Sequence, residues 1–254
     1  ITFAVKTLAT EAPNATLYLD AAHGGWLGWQ DNAQAFAKTV SSLEISQHLR
    51  GFSSNVANYQ ALGEACPPAA FDDQLPLYCQ KHRNASCCAD PCGLLSQWNS
   101  GPTELNYVQM MSMELAKVGP CPDTRDPSSY LALDLILAMA VTPFLTLIQA
   151  IGGGFDPRWL IDTGRNGVAD ERSDCSNWCN IRGAGVGLRP STQTALPSRV
   201  DAYFWLKTPG ESDGCSQTLP SGEACPRCDL TLTNTLMTLK SSSKPSRTKE
   251  GVLA

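Results

Sequence analysis

Four short runs, apolar or β-branched and each ending in polar residues, restrict the architecture this chain can adopt. They are Thr16-Leu-Tyr-Leu-Asp20, Gly51-Phe-Ser-Ser-Asn55, Trp159-Leu-Ile-Asp162 and Asp201-Ala-Tyr-Phe-Trp-Leu-Lys207. Runs of this length and composition read as buried strands. Helical stretches separate them: Asn32 to Val40 carries an apolar stripe, Leu105 to Val118 is rich in Met and Leu, and Leu131 to Ile151 is strongly apolar. Strand-then-helix repetition implies a parallel sheet, because a parallel neighbour needs a long crossover. The expected class is therefore α/β, with the polar strand ends gathered on one rim, where barrel enzymes place their chemistry. Four strands fall short of the about eight that close a barrel, so the pattern reads as an incomplete barrel, its second half.

Eleven cysteines are a heavy load for a cytosolic enzyme and read as disulfides of a secreted protein. The sequons Asn14-Ala-Thr16 and Asn84-Ala-Ser86 agree with that compartment. Six of the cysteines lie between Cys66 and Cys121, among Pro, Asp and Gly. They mark a disulfide-tied insertion over about 64–125 within a domain spanning 1–239. Residues 240–254 lack apolar content and carry four basic groups against Glu250, so a disordered basic tail is expected there. The total of 19 Lys+Arg against 24 Asp+Glu gives −5, which argues against a nucleic-acid binder. Asp134, Pro143 and Gln149 interrupt the Leu131 to Ile151 run, so a buried helix bent at Pro143 fits better than a membrane span. The opening Ile1-Thr-Phe-Ala-Val-Lys6, without Met or a signal pattern, is expected of a processed chain or of a piece of a longer one.

Three runs carry chemistry. Tyr18 to Trp29 (YLDAAHGGWLGW) delivers Asp20 at a strand end and projects His23, Trp26 and Trp29 from a glycine-rich turn. Indole faces beside carboxylates suit a sugar, whose apolar ring face stacks on Trp while its hydroxyls meet polar groups. Core packing of the tryptophans, with Asp20 as a helix cap, is the competing account, and two Trp among three glycines make a poor core. Asp201 to Gly214 ends a strand in Lys207, and a Pro-Gly turn then presents Glu211 and Asp213. A lysine beside a carboxylate favours its ionised form, as a base or substrate anchor requires. Asn177 to Gly187 supplies Trp178 and a flexible glycine loop, without the strand-turn-helix context of a dinucleotide fingerprint. Cys175, Cys179, Cys225 and Cys228 form two spaced pairs reminiscent of a zinc site, but the pairs are distant and the secretory features favour disulfides.

Together these runs resemble glycoside hydrolase family 6, the cellobiohydrolases and endoglucanases that cleave β-1,4-glucans. The likeness rests on five stretches in family order. They are Tyr18 to Trp29, Gly51 to Tyr59 (GFSSNVANY), Ile161 to Gly167 (IDTGRNG), Trp178 to Pro190 (WCNIRGAGVGLRP) and Trp205 to Gly214 (WLKTPGESDG). The resemblance implies a distorted TIM-like (β/α) barrel with a cleft or tunnel, and hydrolysis with inversion. It makes Asp213 the proposed base and Asp20 a carboxylate at the cleavage point. Lys207 and Glu211 become sugar-binding neighbours; His23, Trp26, Asn55 and Trp178 become substrate contacts, and Trp29 a further sugar platform. It implies cellulose or cello-oligosaccharide as partner, a monomer when complete, and neither cofactor nor metal. It also implies that Cys179 pairs with Cys225 or Cys228. The family's general acid sits on a Tyr-x-x-Pro-x-Arg-Asp-Cys run absent here, so little or no activity is expected of these 254 residues alone. Two alternatives are a carbohydrate-binding relative without chemistry and a disulfide-rich extracellular interaction module.

Overall fold

The computed structural model of the chain describes residues 1–118, 155–172 and 174–213. Within them the order is α1 (Thr2–Glu11), β1 (Tyr18–Asp20), α2 (Gly24–Leu27), α3 (Gln30–Ser42), β2 (Gly51–Ser54), α4 (Leu75–Lys81), α5 (Glu104–Lys117), β3 (Arg158–Asp162) and β4 (Val200–Phe204). The strands form one sheet in the order β1-β2-β3-β4, and every neighbouring pair is parallel. The four expected strands are thus present, β4 ending three residues before Lys207. The expected helix over 131–151, the tail over 240–254, and Cys121, Cys225 and Cys228 lie outside the described residues. Among the described residues no helix is long and apolar enough to cross a membrane.

Aromatic packing on the sheet face holds the layers together. Phe52 of β2 meets Trp159 of β3 at 5.5 Å between ring centroids, and Phe36 of α3 at 5.4 Å. Tyr107 of α5 meets Trp159 edge-on at 5.8 Å. The buried indole N–H of Trp159 donates to Ser112 Oγ at 2.9 Å, so α5 both covers and satisfies it. Gly51 opens β2 because a Cβ there would collide with the Arg158 carbonyl on the neighbouring strand. α1 was not foreseen: it presents no continuous apolar stripe, burying only Val5 while Phe3 and Leu8 face outward.

The insertion is tied by Cys66–Cys87 and Cys79–Cys88, and Cys92–Cys175 joins it to the loop after β3. Its Phe71, Leu75 and Cys79 belong to the same buried cluster as Phe52 and Trp159. It is therefore part of the domain core rather than a separate module. Cys179 is also disulfide-bonded, and the partner expected for it, Cys225 or Cys228, lies outside the described residues. With Cys175 bridged to Cys92, the four-thiolate zinc arrangement loses a ligand.

The first residues of the strands form a rim of matched charges. Asp201 accepts from Tyr18 Oη at 2.6 Å, from Arg50 Nε at 3.0 Å and from Arg158 Nε at 2.8 Å. Burial alone would raise its carboxyl, yet these three donors outweigh it and hold the group down to about 2.

Candidate active site

The opposite rim collects the strand ends, and Asp162 fixes its shape. This carboxylate closes β3, is 3% exposed, and accepts from the backbone N–H groups of Gly164 (2.8 Å), Lys207 (2.9 Å) and Ala57 (3.2 Å). One side chain thereby holds the loops after β2, β3 and β4 in register. Burial raises its carboxyl above the ordinary range, with the three backbone donors opposing.

Asn55 continues this frame. It adopts the left-handed conformation (φ 61°), which asparagine tolerates better than most residues, and is 0% exposed. Its Nδ2 donates to the carbonyls of Gln60 (3.1 Å) and Asp162 (3.0 Å), and its Oδ1 accepts from the Gln60 N–H (3.0 Å). Both amide protons are used, so Asn55 shapes the rim from behind instead of presenting a free amide to a sugar. Trp29 is half-buried and not among the residues lining the cavity described below: its Nε1–H donates to the Gln97 carbonyl at 3.0 Å, and the residue bridges to Asn99.

In front of this frame lies a cavity of about 880 Å³ whose lining includes Asp20, His23, Trp26, Arg172, Trp178 and Asp213. These come from three separated stretches of chain. Trp26 and Trp178 are 65% and 49% exposed, leaving indole faces available to a ligand. Gly24 permits the tight path from β1 into α2, because a Cβ there would collide with the Gly101 carbonyl. His23, the residue before α2, is held neutral: burial first, then the Arg172 charge, lowers its imidazole to about 4. Its Nδ1 has no hydrogen-bond partner among the described residues. Asp20 accepts the Ala22 N–H at 2.8 Å, and burial, then the charge of Asp162, raise its carboxyl.

Asp213 is the most heavily contacted acid of the lining. Its Oδ1 pairs with Arg165 Nη1 at 2.6 Å and lies 3.9 Å from Lys207 Nζ. Its Oδ2 accepts from Tyr59 Oη (3.0 Å) and the Asn180 N–H (2.8 Å). The Arg165 guanidinium also stacks over the Tyr59 ring, 4.3 Å from its centroid. Lys207 Nζ sits 3.4 Å from Glu211 Oε1, which places Lys207 and Glu211 beside Asp213.

Beneath the turn, fully buried Glu104 opens α5 and accepts the Gly24 N–H at 3.2 Å. Burial pushes its carboxyl up to about 8. Of the residues singled out in the sequence, five line the cavity (Asp20, His23, Trp26, Trp178 and Asp213), and Lys207 and Glu211 adjoin it. The frame residues Tyr59, Glu104, Asp162, Arg165, Arg172 and Asn180 were not singled out. Arg165 lies within a recognised run, and only its distance to Asp213 reveals its use.

Comparison with known proteins points one way. The sequence pattern of glycosyl hydrolases family 6 matches residues 1–225. Exoglucanase 3 of Agaricus bisporus is 31% identical over 220 residues, covering 85% of this chain and 36% of that protein. The 1,4-beta-D-glucan cellobiohydrolase CEL6C of Podospora anserina is 31% identical over 222 residues, 86% of this chain and 41% of that protein. The catalytic core domain of the cellobiohydrolase Cel6A from Chaetomium thermophilum superposes with a TM-score of 0.55 at 26% identity, over 89% of this chain and 48% of that one. The CcCel6A catalytic domain complexed with p-nitrophenyl beta-D-cellotrioside gives 0.58 at 25% identity, over 94% of this chain and 51% of that one. The chain thus spans between about a third and a half of the relatives it matches. With a parallel half-sheet, a rim of acids and indoles, and this match over nearly its whole length, the chain belongs to glycosyl hydrolases family 6.

Proposed function

We propose that this chain builds part of a glucan-binding cleft in which β-1,4-glucosidic bonds are hydrolysed with inversion. The observation that carries the reading is the shared cavity: Asp20, Trp26, Trp178 and Asp213 converge on it from three distant stretches. Trp26 and Trp178 stack on pyranose faces, while neutral His23 exchanges a hydrogen bond with a sugar hydroxyl. Inversion needs one carboxylic acid to protonate the leaving oxygen and a base on the other face to activate water. Asp213 is the candidate for the second role. Its oxygens face Arg165, Tyr59, Asn180 and Lys207, so it acts first through its negative charge, which favours an oxocarbenium-like transition state. Asp20 binds or steadies the distorted sugar at the cleavage point. The described lining holds only these two carboxylates, and neither is assigned the role of proton donor.

Extracellular location is supported by the three bridges and by the exposure of Asn14 and Asn84 in their sequons. A second reading, carbohydrate binding without turnover, draws support from the four contacts on Asp213. Calorimetric titration with cellotetraose tests the shared part: saturable binding is expected, and its absence contradicts both readings. In a polypeptide that also supplies the proton donor, α-configured products from cellohexaose separate hydrolysis from binding alone.

A further inference from the structure

Arg172 is the cation of the cavity that a neutral glucan leaves without a partner. It lines the cavity with Asp20, His23 and Trp178. Its guanidinium is held by uncharged groups: Nη1 donates to the Cys175 carbonyl (3.2 Å), and Nη2 to Gln60 Oε1 (3.1 Å) and to Cys92 Sγ (3.2 Å). Cys92 and Cys175 are the two halves of the bridge joining the insertion to this loop, so a covalent clip positions the arginine. Nε–H and the second Nη1–H make no hydrogen bond among the described residues.

The acids around it are committed elsewhere. A Cβ at Gly183 would lie 2.8 Å from Glu171 Oε2, which places that carboxylate against the glycine loop. Asp174 Oδ1 accepts the Ser176 N–H at 2.7 Å. Glu104 interacts with the guanidinium, but burial raises its carboxyl, which weakens it as a counter-charge, and its Oε1 accepts the Gly24 N–H instead. The charge acting on Asp20 is that of Asp162, not Arg172. The contrast is Arg165, whose guanidinium is matched by Asp213 at 2.6 Å. A half-buried guanidinium with no salt bridge among the described residues gains most from a ligand that brings a carboxylate, because charge-assisted hydrogen bonds are the stronger kind.

We propose that Arg172 is a specificity-determining residue that recognises a carboxylate on the bound β-1,4-linked sugar, so that the cavity prefers acidic oligosaccharides to neutral ones. The carboxylate belongs either to a uronate within the chain or to an aldonate at an oxidised chain end. The inference rests on the glucan reading above.

Calorimetric titration of the whole chain with cellotetraose, cellotetraonic acid and a β-1,4-linked tetraglucuronate tests it. An acidic ligand is expected to bind about tenfold tighter than cellotetraose at low salt, the scale of one charge-assisted contact. The preference is expected to shrink at about 1 M salt, where surface charges are screened. Which acidic ligand gains identifies the position of the carboxylate. Arg172→Gln is expected to abolish the preference, read as the ratio of acidic to neutral ligand affinity, because the charged contact is removed. Equal affinities for all three ligands, or a preference that survives in Arg172→Gln, would overturn the inference and leave the glucan reading standing. If Arg172→Gln also loses cellotetraose, Arg172→Lys decides: a retained preference supports the inference and a lost one overturns it. No binding of any ligand by the native chain refutes both readings.

Discussion

The two rims of the same four strands treat charge in opposite ways. At the strand starts, Asp201 is satisfied by Tyr18, Arg50 and Arg158, and its carboxyl is held down to about 2. At the strand ends, burial raises Asp20, Asp162 and Glu104 and lowers His23 to about 4. One rim spends its ionisable groups on each other. The other keeps them partly unsatisfied: His23 Nδ1 and Glu104 Oε2 are buried without hydrogen bonds among the described residues. Such groups cost stability and stay useful only where a ligand completes them. The starting rim is therefore built for stability and the ending rim for recognition and chemistry, the division that parallel barrels show between their two faces.

The largest expected effect lies on the ending rim. Asp213→Asn, placed in a polypeptide that supplies the proton donor, should lower turnover by about 10² to 10⁴, the share of general acid–base work. Unchanged hydrolysis of cellohexaose would remove Asp213 from the chemistry.

The rims should also respond oppositely to pH. Glu104 has a folded pKa of about 8 against an ordinary 4.5. Its contribution is complete below pH 4.5 and is lost as pH rises toward 8, at up to about 1.4 kcal/mol per pH unit. Glu104→Gln, which mimics the protonated acid, should flatten that slope between pH 4.5 and about 8 in urea titrations. A slope identical to the native one would place its origin elsewhere. Asp201 runs the other way, because its folded pKa lies below its ordinary 3.8. Its contribution is present above pH 3.8 and is lost as pH falls through about 2.

Removing that charge at neutral pH gives the next effect. Asp201→Asn should cost about 1–3 kcal/mol in urea unfolding, the scale of hydrogen bonds to a charged group, without altering cellotetraose affinity. A change in sugar affinity would break the separation of the rims. Trp178→Ala is the mirror case and the smallest: about 1 kcal/mol of cellotetraose binding should be lost, the scale of stacking on an exposed indole, with unfolding unchanged. A loss of stability without a loss of binding would make Trp178 a packing residue.

The sheet was legible because strand pattern and strand-end polarity share one physical cause, a buried parallel ladder with its ends in loops. β1, β2 and β3 begin or end within two residues of the runs that announced them. Long-range uses of single residues were not legible. Asp162 reads as one more polar strand end, and nothing in its neighbours announces three backbone donors from three loops. Glu104 reads as an ordinary acid in the first turn of a helix, since only the fold shows that this turn is fully buried. Asn55 sits in the right run but turns into the frame, and Trp29 stands off the cavity lining, because local sequence does not say which way a loop side chain faces. Disulfide connectivity was equally silent: Cys92 pairs with Cys175, 83 residues away, rather than within its own insertion.

The account stands on distant segments forming one sugar-binding cavity, and a crystal of this chain grown with cellotetraose tests that most directly. The expected result is a pyranose stacked on Trp26 or Trp178, with hydroxyls hydrogen-bonded to Asp20 or His23. Sugar bound away from that cavity, or a cavity left empty by saturating ligand, would contradict it.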